Sequence, residues 1–473
     1  MRLDALLGRL DDRSVRLSPS DADRTEIAAV VHDTREVVRG ALFCCVPGAH
    51  VDGHDLAGRA VELGASALLV EHPVGAGVPE LQVPVVREAL GPVADAFWNH
   101  PSRSMRVVGV TGTSGKTTTT HLLAAIFEAN GWPTAVIGTL SGPRTTPEAP
   151  ELQARLAAER DAGREVVAME VSSHSLALGR VRATRFALAI FTNLSHDHLD
   201  FHRDLDDYFE VKAGLFTPDY TQAAVVNVDD PRGRDLLERS LVPTEGYSLG
   251  DASELDLGPT HSRFRWRGVA VELPMGGRFN VSNAVAAATA AARLGVDATT
   301  IAAGLSSARP VPGRFEPVDE GQPFAVIVDY SHKPAALRGA LDAARAAAAD
   351  GRVILVFGAG GDRDATKRRE MGEVAGQGAD RVLLTSDNPR GEDPLAIIDA
   401  VHAGIPASAD CTIEPDRATA IAVAIGEAQP GDVVLIAGRG HELVQVVGER
   451  TIPFDDREVA RTALCVRRDG HGW

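Results

Sequence analysis

A chain of 473 residues is too long for one ordinary hydrophobic core and predicts two to three domains. With 44% hydrophobic and 24% charged residues and a formal charge of −17, it reads as a globular protein rather than a nucleic-acid binder, and an anionic substrate would need a local cluster of cations. No apolar run reaches bilayer length and Met1-Arg2-Leu3-Asp4 opens no signal-peptide core, so a cytoplasmic protein without membrane insertion is expected.

Residues 1–103 read as a small α/β domain, with apolar strands at 41–46 and 67–70 and a helical stretch at 61–67. The four cysteines, Cys44, Cys45, Cys411 and Cys465, lack zinc spacing. Cys44 and Cys45 would face opposite sides of a strand, which predicts buried free thiols. After linker-like residues 99–104, a second domain is expected over 104–312. It opens with a buried strand at 106–110, a Gly-rich loop, and a helix at 116–129 stopped near Gly131 and Pro133. Apolar strands at 166–169, 187–191 and 223–226, separated by helices, predict a mainly parallel sheet. Residues 263–273 alternate as a hairpin does, and 284–294 form an apolar helix. A second linker at 308–313 leads to a third domain, 313–473. Its strands at 325–328, 353–357, 382–384 and 433–436 predict a Rossmann-like, doubly wound α/β pattern.

The segment Gly112-Thr113-Ser114-Gly115-Lys116-Thr117-Thr118 lies between a strand and a helix. There, backbone N–H groups and the helix N-terminus can face a phosphate, Lys116 adds charge, and a Thr hydroxyl can reach Mg²⁺. The first glycine of the strict pattern falls at Val110, so the match is partial; the alternative is a Gly-rich turn with a chance lysine. Glu170 ends a buried strand, where a carboxylate can hold a metal beside phosphates, although strand-end Glu is more often solvated. Another strand delivers Thr192-Asn193-Leu194-Ser195-His196-Asp197-His198-Leu199-Asp200-Phe201-His202, a gathering of ionisable groups that is expensive without a site. His198 could join Glu170, while His196 and His202 could equally be surface residues.

Only four of the 48 Lys and Arg residues are lysines: Lys116, Lys212, Lys333 and Lys367. A compositional bias toward Arg explains this blandly. It also leaves the surviving lysines enriched where guanidinium cannot substitute, as a compact ammonium or as an amine that must lose its proton. Lys212 would otherwise pass for a helix-surface lysine.

The loop, the Glu170-Val171-Ser172-Ser173-His174 segment, Asp197-His198-Leu199-Asp200, Lys212, Asn280 with Asn283, and Gly313-Arg314-Phe315-Glu316 fall in the order seen in Mur ligases. Over nearly its whole length the chain resembles that family, and most closely the branch that adds meso-diaminopimelate to UDP-N-acetylmuramoyl-L-alanyl-D-glutamate. The resemblance implies an ATP-dependent amide ligase of peptidoglycan precursor synthesis that works through an acyl phosphate. ATP would meet residues 112–118, Asn193, Asn280, Asn283, Arg314 and Asp329. Two Mg²⁺ would be held by Thr117, Glu170, His198 and Lys212, the last carbamylated by CO₂, which an always-charged arginine cannot be. Lys116, Lys212, His198, Glu170 and Arg314 would carry the catalysis. The UDP-linked acceptor would lie against Thr34, Thr145, Thr146, Ser173 and Arg180. Diaminopimelate would be read by Arg363, Asp387, Asn388, Pro389, Arg390, Gly438 and Glu442: arginines clamp its distal carboxylate and Glu442 accepts from its ammonium. A monomer is expected. Ala359 stands where many members carry Cys and Lys333 where many carry Thr, and neither Lys333 nor Lys367 receives a role.

Three other readings compete. The same reaction with L-lysine or another diamino acid would leave Arg390 facing nothing. A folylpolyglutamate-synthase-like ligase shares the ATP site but not the first domain. A non-catalytic nucleotide-binding regulator explains the loop but not Glu170, Lys212 and the amino-acid pocket together.

Overall fold

A computed structural model describes residues 1–10, 15–18, 24–48, 50–348, 350–362 and 364–471. Three sheets organise the chain. In the N-terminal sheet, strands Ala29–Val31, Ala41–Cys44, Ala65–Val70 and Glu80–Gln82 lie parallel in that spatial order, and Arg16–Ser18 closes the edge antiparallel. Cys44 and Cys45 are both fully buried, on opposite sides of this sheet, and all four cysteines are free thiols. The helix expected at 61–67 is displaced. It spans Ala57–Glu62, because Gly64 turns the chain at φ 111° and the strand begins at Ala65.

The central sheet has six parallel strands in the order Thr244–Tyr247, Ala224–Asn227, Leu188–Phe191, Arg106–Thr111, Val166–Glu170, Thr134–Ile137. Its inner strands Leu188–Phe191 and Ala224–Asn227 are buried along their whole length because both faces are covered. Val108, Val110, Ala168 and Ile190 pack beneath the helices Lys116–Ala129 and Arg278–Arg293. Val107, Val167, Met169 and Phe191 pack on the other side against Leu152, Leu156 and Phe209. The expected hairpin at 263–273 exists as Ser262–Trp266 and Val269–Leu273, joined by a third strand, Ala252–Leu257, that the sequence did not signal.

The C-terminal sheet runs Glu316–Pro317 (antiparallel), Ala325–Asp329, Val433–Ala437, Val353–Phe357, Arg381–Leu384, Cys411–Ile413. Helices cover both faces, as expected of a doubly wound domain. The strand Cys411–Ile413 and a separate hairpin, Val444–Val447 with Arg450–Pro453, were not expected. The carboxyl ends of the central strands and those of the C-terminal strands face one shared cavity. Among the described residues, no helix is long and apolar enough to cross a membrane.

Candidate active site

A cavity of about 620 Å³ is lined by residues 113–118 on one side and by Arg314, Asp329 and Lys333 on the other. The loop that floors it is held shut from behind. Gly112 has φ 146°, and a Cβ there would sit 2.0 Å from Thr192 Oγ1; at Gly115 a Cβ would meet Asn283 Oδ1 at 2.4 Å. Only glycine allows both approaches. Asn193 lines the cavity and braces the loop: its carbonyl accepts from Thr113 N (2.9 Å) and its Oδ1 from Ser114 N (2.9 Å). Lys116 Nζ folds back onto the carbonyls of Gly112 (2.9 Å) and Thr113 (3.0 Å). Burial draws its pKa down to about 8 against the opposing pull of Glu170.

Glu170, 1% exposed, ends its strand beside the loop. Its carboxylate accepts from Thr117 Oγ1 (3.0 Å) and Thr139 N (2.8 Å). Thr139 gave no sequence signal. Arg314 crosses from the C-terminal domain to donate to the same Thr117 hydroxyl at 3.2 Å, its guanidinium 4.4 Å from the centre of the Tyr330 ring. Thr117, Glu170 and Arg314 therefore meet at one point. His198 does not join them: Nε2 lies 2.9 Å from Asp197 Oδ2, and its backbone takes φ 54°. Asp197 also pairs with Lys333 of the C-terminal domain. Burial opposes its charge, yet the His198 hydrogen bond and Lys333 hold its carboxyl far below the usual range.

Lys212 lies behind the loop, 1% exposed, donating to Gly112 O (3.1 Å) and Thr111 Oγ1 (3.4 Å) and sitting 4.7 Å over the Tyr208 ring. Burial first, then Lys116 and Lys333, push its pKa well below that of an ordinary lysine. Asn283 lines the cavity; Asn280, on the same helix, is fully buried with Nδ2 on Gly276 O (2.9 Å) and Oδ1 unpartnered. Asp329 caps its own turn, accepting from Phe315 N (2.7 Å) and Ser331 N (2.9 Å).

On the C-terminal side Asp387, Arg390, Gly438 and Glu442 line the cavity. A Cβ at Gly438 would come within 2.2 Å of Asp387 Oδ2, so that position must stay bare. Burial raises the pKa of Asp387, and burial with Asp387 raises that of Glu442. Asn388 bonds Glu442 at 3.4 Å, and Pro389 O accepts from Glu392 N (3.0 Å) in the following turn. Arg363 lies outside the described residues. Beneath the pocket Arg439 is fully buried against the Asp387 carbonyl (3.1 Å), and Arg417 makes a fully buried two-bond pair with Asp456 (2.7 and 2.8 Å). Arg417 and Asp456 are far apart in sequence, and nothing there flagged them.

The acceptor residues are split. Thr145 reaches the cavity. Thr146 is spent on the backbone, donating to Glu170 O (2.9 Å); Ser173 bonds His202 Nε2 (2.9 Å); Arg180 pairs with Glu148 at 2.7 Å. Thr34 stands apart, in the N-terminal turn Thr34–Glu36 capped by Asp33. The two lysines without a sequence role, Lys333 and Lys367, both line the cavity, and Lys367 donates to His332 O at 2.8 Å. Their rarity was the only signal for them.

The arrangement places a phosphate loop, a metal-suited carboxylate and a pocket of paired charges around one space. The family profile of the Mur ligase middle domain matches residues 110–291, that of the Mur ligase glutamate ligase domain 313–440, and that of the Mur ligase family catalytic domain 26–98. A UDP-N-acetylmuramoyl-L-alanyl-D-glutamate--2,6-diaminopimelate ligase from Streptomyces coelicolor is 44% identical over 470 residues, covering 93% of this chain and 92% of its own length. One of the same name from Gloeobacter violaceus is 44% identical and covers 99% of each chain. A solved structure bearing that name superposes with a TM-score of 0.69 at 31% identity, over 95% of this chain and 97% of the other.

Proposed function

The chain belongs to the Mur ligase family, an ATP-dependent ligase family of peptidoglycan synthesis, and from that premise we propose that it joins meso-diaminopimelate to the D-glutamyl γ-carboxylate of UDP-N-acetylmuramoyl-L-alanyl-D-glutamate, as a cytoplasmic monomer. The observation that carries the substrate assignment is the pocket in which Arg390, Asp387 and Glu442 line the same cavity as Lys116 and Arg314. A free carboxylate is a poor acyl donor, so its oxygen attacks the γ-phosphorus of ATP, ADP leaves, and an acyl phosphate results. The substrate amine then attacks the acyl carbon and phosphate departs. Lys116 and Arg314 stand on either side of the phosphate position, and the enzyme's contribution is to hold charged reactants together and stabilise charge.

Magnesium fits this site. Among the described residues no three His, Cys, Asp or Glu gather as a ready-made cage, but Mg²⁺ takes one or two protein oxygens and completes its shell with phosphates and water. Glu170 and the Thr117 hydroxyl, 3.0 Å apart at the cavity wall, supply those oxygens. His198 reaches the metal only after leaving Asp197. When bound, Mg²⁺ neutralises charge on the transferring phosphoryl group. The surroundings of the Lys212 amine disfavour its ammonium form, which favours the free base that a carbamate requires.

The decisive assay is phosphate release from ATP with and without each co-substrate. Release should require the muramoyl-dipeptide and diaminopimelate together, and L-lysine should not replace the latter. Release with either one alone would sink the ligation reading; equal turnover with lysine would sink the amine assignment.

A further inference from the structure

The turn that carries Arg390 is strained and is held from outside. Arg390 has φ 51°, a left-handed backbone that a residue with a long side chain rarely adopts and that persists only where the surroundings over-determine it. On one side the loop at 361–362 holds it: Arg390 Nη1 donates to Gly361 O (2.5 Å), Gly361 N to Asn388 O (2.9 Å) and Gly391 N to Asp362 Oδ2 (2.9 Å); on the other side lies an exposed hairpin. Arg390 N donates to Val446 O (2.8 Å) and Gly448 N donates to Arg390 O (2.6 Å), gripping the strained residue on both sides. Val446 N donates to Asn388 Oδ1 (2.9 Å), and Gln445 Nε2 donates to Asp387 O (2.6 Å). At the hairpin's root, buried Arg439 bonds both the Asp387 carbonyl and Val444 O (2.8 Å).

The hairpin has little other structural purpose. Its two strands form a separate two-stranded sheet whose one further β-bridge among the described residues is Val447 to Arg390, and every residue of Arg450–Pro453 is exposed. A two-stranded ribbon of this kind has no independent stability in water. Its polar attachments converge on Asp387, Asn388 and Arg390. Gln445 is not among the residues lining the cavity, while the turn it bonds carries Arg390 into it.

We propose that the hairpin Val444–Pro453 is a strap that sets amino-acid selectivity by fixing the Asp387–Arg390 turn, with Gln445 as its positioning residue. The inference rests on the diaminopimelate reading of that pocket. Without the strap the Arg390 backbone relaxes toward ordinary φ, which swings the guanidinium away from the place where a distal carboxylate would be clamped. The phosphate loop at 112–118, built on the central domain, is untouched.

Gln445→Met keeps the side chain's length and removes its donor; Gln445→Ala removes both. In each, the KM for diaminopimelate should rise about tenfold, the scale of one lost positioned hydrogen bond, with the KM for ATP within about twofold of wild type. The preference for diaminopimelate over L-lysine should fall by a similar factor. An unchanged KM for ATP also certifies that the variants are folded. Unaltered selectivity in both variants, or equal losses for ATP and amine, overturns the strap. A wild-type chain that turns over another diamino acid, while the variants show the same split for it, retains the strap and revises the substrate.

Discussion

Lys212 shows how burial beside like charges can change what a side chain is for. Burial, with Lys116 and Lys333 nearby, pushes the amine's pKa well below that of an ordinary lysine, and the neutral amine this favours is the form that adds CO₂. Lys212→Met should therefore fold and still bind ATP, yet lose ligation by about 100-fold or more, since the anionic group that would hold a Mg²⁺ beside the phosphates is gone. Carbon NMR with labelled bicarbonate should show one protein-bound carbamate in the wild type and none in Lys212→Met. A resonance surviving in the variant would assign the carbamate elsewhere. At this scale the sequence was informative where chemistry restricts residue type: Gly112 and Gly115 because of their backbone angles, and the lysines because of their scarcity. It was less informative for Thr146: the same hydroxyl can serve a ligand or a neighbouring backbone, and in the fold it donates to Glu170 O.

At the scale of elements, Val433–Ala437 shows what a sheet strand needs at its start. It is flanked on both sides, by Ala325–Asp329 and Val353–Phe357, and the residue before it, Asp432, is 3% exposed. The Asp432 carboxylate accepts from Arg352 N (2.8 Å), Arg352 Nη2 (2.8 Å) and Gln429 N (2.9 Å). Burial raises its pKa, but these hydrogen bonds outweigh burial and leave it below the ordinary value. A carboxyl depressed in the folded state stabilises above its unfolded pKa, and that stabilisation is lost as pH falls through the folded value. Asp432→Ala should thus lower stability by about 1–3 kcal/mol at pH 7 in urea unfolding, with the gap to wild type narrowing below about pH 4. A gap that stays constant to pH 3 would mean the loss is not electrostatic. Long elements such as the helix Lys116–Ala129 were legible because Gly131 and Pro133 stop it and the loop begins it. Cys411–Ile413 and the Val444–Pro453 hairpin were not, because they are short and largely exposed and so carry no burial pattern to read.

For the whole molecule, the order of the motifs told which domains supply the site but not how they meet. That information lies in pairs distant in sequence, Arg314 with Thr117 and Lys333 with Asp197, which join the C-terminal domain to the central one across the cavity. Both side chains of the Lys333–Asp197 pair are largely shielded from water, with 14% and 13% exposed, so removing one leaves the other uncompensated. Asp197 also holds His198, which links domain position to a candidate metal ligand. Lys333→Met should let the two domains separate more widely without nucleotide, seen as a larger radius of gyration in X-ray scattering, and raise the KM for ATP about tenfold. A direct contact between Lys333 and the phosphates would raise that KM as well. The cycle with Asp197→Asn separates the two cases. If the ion pair is what matters, the double variant loses no more than the worse single one; if Lys333 acts on ATP itself, the two losses add. Additive losses with an unchanged radius of gyration would dismiss the latch and leave Lys333 a third cation for the phosphates beside Lys116 and Arg314.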